Sequence, residues 1–94
     1  MKVSVSAEAA QHIRSHGGEI FVWAGGHCCG GTRFVEASTR APRDARSFVL
    51  ASDQGVTVHV RAAGGRLPEK IEVVLRGRRR PRVEAFWNGC AFVV

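Results

Sequence analysis

Gly55-Val56-Thr57-Val58-His59-Val60-Arg61 places a valine at every second position behind a glycine. Successive side chains of an extended strand point to opposite faces, so Val56, Val58 and Val60 share one apolar face. Thr57, His59 and Arg61 share the other, and His59 is expected at the solvent side. This is the pattern of a strand buried on one face. The same alternation recurs downstream, with Ile71, Val73 and Leu75 set against Glu72 and Arg76, and again in Val83, Ala85 and Trp87. Upstream, Glu19 to Ala24 (EIFVWA) is almost continuously apolar and reads as a well-buried strand. Thr32 to Ala37 and Ser47 to Ser52 read as further strands, parted by the polar loop from Thr39 to Asp44.

One segment breaks this period. Ala7 to Arg14 reads as a short helix whose apolar face is Ala9, Ala10 and Ile13. Ser6 stands where an N-cap belongs, Glu8 lies in the first turn where the helix dipole favours an anion, and Gly17-Gly18 ends the segment. Val3 to Val5 forms a short strand before it. Near the other end, Asn88-Gly89 lies between apolar runs. Both residues tolerate the positive φ of a type I′ turn, which predicts a hairpin with Cys90 facing Trp87 and Phe92 facing Ala85. The fold class that follows is mainly β (α+β), a β-rich sandwich or barrel-like domain with one short N-terminal helix. The 94 residues are expected to form a single domain, 1–94.

The formal net charge is +6, and Arg76-Gly77-Arg78-Arg79-Arg80-Pro81-Arg82 holds five arginines, so the basicity is mostly one local feature. Clustered guanidinium groups bind phosphates and carboxylates. An acidic protein partner at Arg76, Arg78, Arg79, Arg80 and Arg82 is the favoured reading of a partner there. A nucleic-acid interface would pair such charge with stacking aromatics or a helix for the groove, and only Trp87 is near, so nucleic acid is disfavoured. A charged turn joining two strands also discourages edge-to-edge association. No apolar run approaches the ~18 residues of a membrane span, so no membrane partner is expected. The start of the chain lacks the apolar segment of a secretory signal, which points to the cytoplasm.

There thiols stay reduced, and cysteines serve more often as ligands or catalysts than as staples. The chain has three: Cys28 and Cys29 in Gly25-Gly26-His27-Cys28-Cys29-Gly30-Gly31, and Cys90. Adjacent Cα atoms lie ~3.8 Å apart, below the ~4.4–6.8 Å usual for a disulfide. Thiolates favour zinc, copper(I) and iron–sulfur clusters. A closed site takes four protein ligands, whereas one chain offers Cys28, Cys29 and Cys90 with His27 close by. A homodimer would complete the set across a two-fold axis. In a strand, neighbouring thiols would point to opposite faces. The glycine pairs are therefore expected to form a pliable loop that turns both thiols to one ion. The alternative is redox thiol chemistry, with a thiolate stabilised by His27 and backbone amides. His12 and His16, four apart, share a helix face without a visible third ligand.

The order of these features resembles the HesB-like, IscA-type iron–sulfur carrier family. Val3-Ser4-Val5-Ser6-Ala7-Glu8-Ala9-Ala10 is similar to its opening, Gly26 to Gly31 to its Gly-Cys-x-Gly loop, and Gly55 to Val60 to its Gly-Val-x-Val-x-Val strand. The resemblance runs from about Val3 to Cys90. It places Cys29 at the family's first ligand cysteine and Cys90 at its last. Asn88 stands where the family has a middle cysteine, and Cys28 has no counterpart. The vicinal pair is closer to a subset that carries Cys-Cys or Cys-selenocysteine. The resemblance implies a carrier-like protein holding iron or an iron–sulfur cluster on Cys28, Cys29 and Cys90 with His27. A vicinal-thiol redox protein without a stable metal is the alternative. A binding module is expected rather than an enzyme. The chain has no Walker-type loop, no dinucleotide fingerprint in a βαβ setting and no nucleophile-elbow serine.

Overall fold

The computed structural model describes residues 1–28, 32–43, 48–63 and 65–93. Along the chain run β1 (Lys2–Val5), α1 (Ala7–Ser15), β2 (Glu19–Cys28), β3 (Thr32–Ser38), β4 (Phe48–Asp53), β5 (Val56–Arg61), β6 (Lys70–Arg76), β7 (Arg82–Trp87) and β8 (Phe92–Val93). The strands form two sheets, β1-β6-β7 and β4-β5-β2-β3-β8, and neither closes into a barrel. The mainly-β class with one short helix is therefore what the chain adopts.

The Gly55–Val60 stretch fulfils its pattern. β5 lies between β4 and β2, antiparallel to the first and parallel to the second, with Val58 beside Ile20 and Val60 beside Val22. Val56, Val58 and Val60 are fully buried, together with Ile13, Ile20, Val22 and Ile71. In the smaller sheet, Val5 pairs with Val73, and Val73 with Ala85, on the face turned to the same core. α1 packs onto that core through Ala9, Ala10 and Ile13. Its start is fixed by Ser6, whose Oγ accepts from the Ala9 amide at 3.1 Å. At its end Gly17 and Gly18 take positive φ, and the Gly18 N–H donates to the Ile13 carbonyl at 2.9 Å.

The two sheets are also clasped at one corner. The β4–β5 turn, Gln54-Gly55, has φ 53° and 74°. From it the Asp53 carboxylate accepts the Val5 N–H at 2.8 Å, and the Gln54 side-chain amide donates to the Val5 carbonyl at 2.9 Å.

Three expectations change. β2 does not stop at Ala24 but continues through Gly25, Gly26 and His27 to Cys28. The backbone up to Cys28 is thus strand, not pliable loop, because it keeps its ladder with β3 by absorbing one extra residue between Gly25 and His27. Phe92 lies opposite Phe34 of β3 rather than Ala85, since the chain leaves β7 after the turn and joins the larger sheet. His59 is not a solvent-side residue. Its ring stacks on Phe21 at 4.3 Å and meets the edge of Phe48, and only 13% of its side chain stays exposed. The second face of β2 is itself apolar, so the face opposite the core carries an aromatic layer of its own.

Candidate thiol site

The β2–β3 ladder ends at Cys28, the first of the vicinal cysteines. Its last ladder pairs are His27 with Arg33 and Cys28 with Thr32. Cys29, with Gly30 and Gly31, lies outside the described residues. The approach to this end is crowded on the face away from the core. Trp23 pairs with Glu36 there and Gly25 with Phe34. A Cβ at Gly25 would run into the Glu36 carboxylate and come within 2.8 Å of Trp23 Nε1. A side chain at Gly25 would make these two side chains shift. Beyond it, Phe34 and Phe92 face each other across β3 and β8, and both are largely exposed.

Cys90 is reached by a different route. Asn88 and Gly89 take φ 50° and 83°, so both central residues have the positive φ of a type I′ turn. Trp87 and Cys90 close it with two backbone hydrogen bonds, 2.7 and 2.9 Å. The Trp87 side chain is buried in the core, whereas Cys90 is exposed and its thiol is free. Asn88 has a further task that the sequence did not reveal. Its Oδ1 accepts from the amides of Glu69 and Lys70, at 2.8 and 3.1 Å, and its own N–H donates to the Lys70 carbonyl at 3.0 Å. It ties the turn to the start of β6, a structural role.

The backbone register relates the two thiol regions. Val35 donates to the Ala91 carbonyl, so Cys90 approaches β3 near Glu36. Cys28 pairs with Thr32, four β3 residues away, or ~13 Å along the strand. Among the described residues no three His, Cys, Asp or Glu side chains converge to hold a metal. His12 and His16 do share a helix face, with stacked rings 4.3 Å apart.

The arginine run forms the β6–β7 connection. Arg76 and Arg82 are its closing pair, a like-charge juxtaposition that Glu84 offsets from between them, 3.5 Å from Arg76 and 3.3 Å from Arg82. Gly77 turns the chain at φ 96°, and a Cβ there would meet the Arg80 carbonyl at 2.7 Å. Arg78, Arg79 and Arg80 are exposed. No helix among the described residues is long and apolar enough to cross a membrane.

Residues 1–82 match the model of the CC/Se motif containing family. The fold is similar to that of IscA crystallised with a [2Fe-2S] cluster, with TM-score 0.62 and 16% identity over 90% of this chain and 84% of that one. It is similar also to Escherichia coli SufA, a protein involved in biosynthesis of iron–sulfur clusters, with TM-score 0.63 and 14% identity over 99% of this chain and 93% of that one. No curated protein sequence matches the chain.

Proposed function

The chain belongs to the CC/Se motif containing family, and on that premise we propose that it binds iron or an iron–sulfur cluster as cargo, carrier-like, on cysteine thiolates. The observation that carries this reading is the fold. Nearly the whole chain superposes on two proteins of iron–sulfur cluster metabolism, one of them crystallised with its cluster. The thiol pair named by the family is Cys28-Cys29, because Cys90 has no cysteine neighbour and follows the matched segment. Cys28 and Cys29 are the primary ligands, with His27 beside them. Cys90, exposed but displaced along β3, is a ligand supplied by a second copy of the chain. Cys28, Cys29 and His27 of one copy with Cys90 of the second then make the four protein ligands a cluster takes.

Anaerobic incubation with Fe(II) and sulfide tests this reading. Wild-type protein should develop thiolate-to-iron absorption in the visible, Cys29→Ser should lose it, and Cys90→Ser should lose the dimer along with it. No uptake by wild type, or equal uptake by Cys29→Ser, overturns the proposal.

The separation of Cys90 from Cys28 favours a second reading, since two neighbouring thiols are what dithiol chemistry requires. Here a Cys28 or Cys29 thiolate attacks a disulfide substrate, the neighbouring thiol displaces the product, and the pair is left oxidised as the substrate gains two electrons and two protons. Native Cys28 or Cys29 should then react with iodoacetamide faster than free cysteine at neutral pH. Labelling at or below the rate of free cysteine sinks this alternative.

A further inference from the structure

We propose that a cleft between α1, the end of β3 and the start of β7 binds the phosphate group of a small phosphorylated ligand. The cleft measures about 360 Å³ and is lined chiefly by His12, His16, Ser38, Thr39, Pro81 and Arg82. It lies at the far end of β3 from Cys28, six residues from Thr32 to Ser38, or ~20 Å, and it stands independently of the cargo reading.

Among the described residues no carboxylate lines the cleft, and its charged or chargeable side chains are two imidazoles and a guanidinium. The roles of several polar atoms are already fixed by the fold. His16 Nδ1 lies 2.8 Å from the His12 carbonyl. A carbonyl only accepts, so Nδ1 carries the proton and is spent on the helix, which leaves Nε2 as the other polar atom of the ring. The stack of the two rings holds both imidazoles as one unit. Ser38 Oγ accepts the Arg40 amide at 3.0 Å, which leaves its hydroxyl proton to donate. Arg82 turns one nitrogen to Glu84 at 3.3 Å, and a guanidinium has five N–H groups to distribute.

Three features oppose an anion. The Glu84 carboxylate neutralises part of the Arg82 charge, but it is shared with Arg76. The C-terminus of α1 carries partial negative charge. However, the His12 carbonyl already accepts from Ser15 Oγ at 2.7 Å, and the Ile13 carbonyl from the amides of His16 and Gly18. The nearest helix carboxylate, Glu8, lines the neighbouring groove on the other side of His12. Arg78, Arg79 and Arg80 lead directly into Pro81-Arg82 and raise the local concentration of anions. Donors arriving from three elements suit a tetrahedral phosphate better than a planar carboxylate, which is satisfied by one guanidinium fork.

Titration of the full chain with inorganic pyrophosphate at low ionic strength, followed by amide NMR, tests the proposal. Saturable shifts should appear at His12, His16, Ser38 and Thr39. Arg82→Gln should weaken binding about tenfold, the loss of one charge-assisted contact, and Arg79→Gln less than twofold, with unchanged spectra confirming both folds. Equal weakening by the two variants would reduce the site to diffuse charge and overturn it. A single-stranded oligothymidylate forms the second arm. If it shifts residues 78–80 while pyrophosphate moves nothing in the cleft, the surface is a nucleic-acid one and the proposal fails.

Discussion

Asn88 shows how one side chain can be claimed by two arguments. The resemblance to the carriers set it against a cysteine, and local chemistry set it in a turn. In the fold it makes the turn and also receives two β6 amides on Oδ1. Asn88→Ala removes that acceptor and puts a Cβ residue less suited to positive φ at 50°. It should lower unfolding stability by about 2 kcal/mol. Asn88→Asp keeps the acceptor and should stay within about 0.5 kcal/mol of wild type by urea unfolding. Equal losses in both variants would mean that the amides of Glu69 and Lys70 do not depend on Oδ1. The turn was legible because Asn-Gly is a local signal. The clasp on β6 was not, since it joins residues nineteen and eighteen positions apart.

At the level of elements, what could be read were the buried stripes. The valines of β5, the alternation in β6 and β7 and the face of α1 all lie where period and capping place them. Ser6→Ala should cost about 1 kcal/mol through the lost cap, and Ile13→Ala about 2–5 kcal/mol through the cavity it opens. Thermal or urea unfolding checks both, and an Ile13→Ala loss under 1 kcal/mol would contradict the burial of that face. β2 was harder to read. Its glycines suggested a loop, yet Gly25 serves to pass the Glu36 and Trp23 side chains while the ladder continues. His59 was assigned to solvent because alternation says which residues share a face and not what covers it. The signal lay in Phe21 and Trp23, which make the second face of β2 apolar.

Over the whole molecule, the sheets are joined by a shared core and by the clasp of Asp53 and Gln54 on Val5. Asp53→Ala leaves a part-buried amide without its charged acceptor and should cost about 1–3 kcal/mol. Reversing Arg78, Arg79 and Arg80 to Glu should change stability by less than about 1 kcal/mol, because these residues are exposed on a turn. A large loss in that variant would give the run a structural role. The cysteine chemistry was legible as an inventory, three thiols and one nearby histidine, because reactivity follows residue type. Its assembly was not, since the distance from Cys90 to Cys28 depends on strand order, which no local pattern encodes. The fold now fixes Cys90 beside the middle of β3 and Cys28 at its start. Iron K-edge X-ray absorption of the anaerobically reconstituted protein tests the cargo claim most directly. A first shell dominated by sulfur in wild type, lost in the Cys28→Ser/Cys29→Ser double variant, is the predicted result. A shell of oxygen and nitrogen alone in wild type, or an unchanged sulfur shell in the double variant, would contradict it.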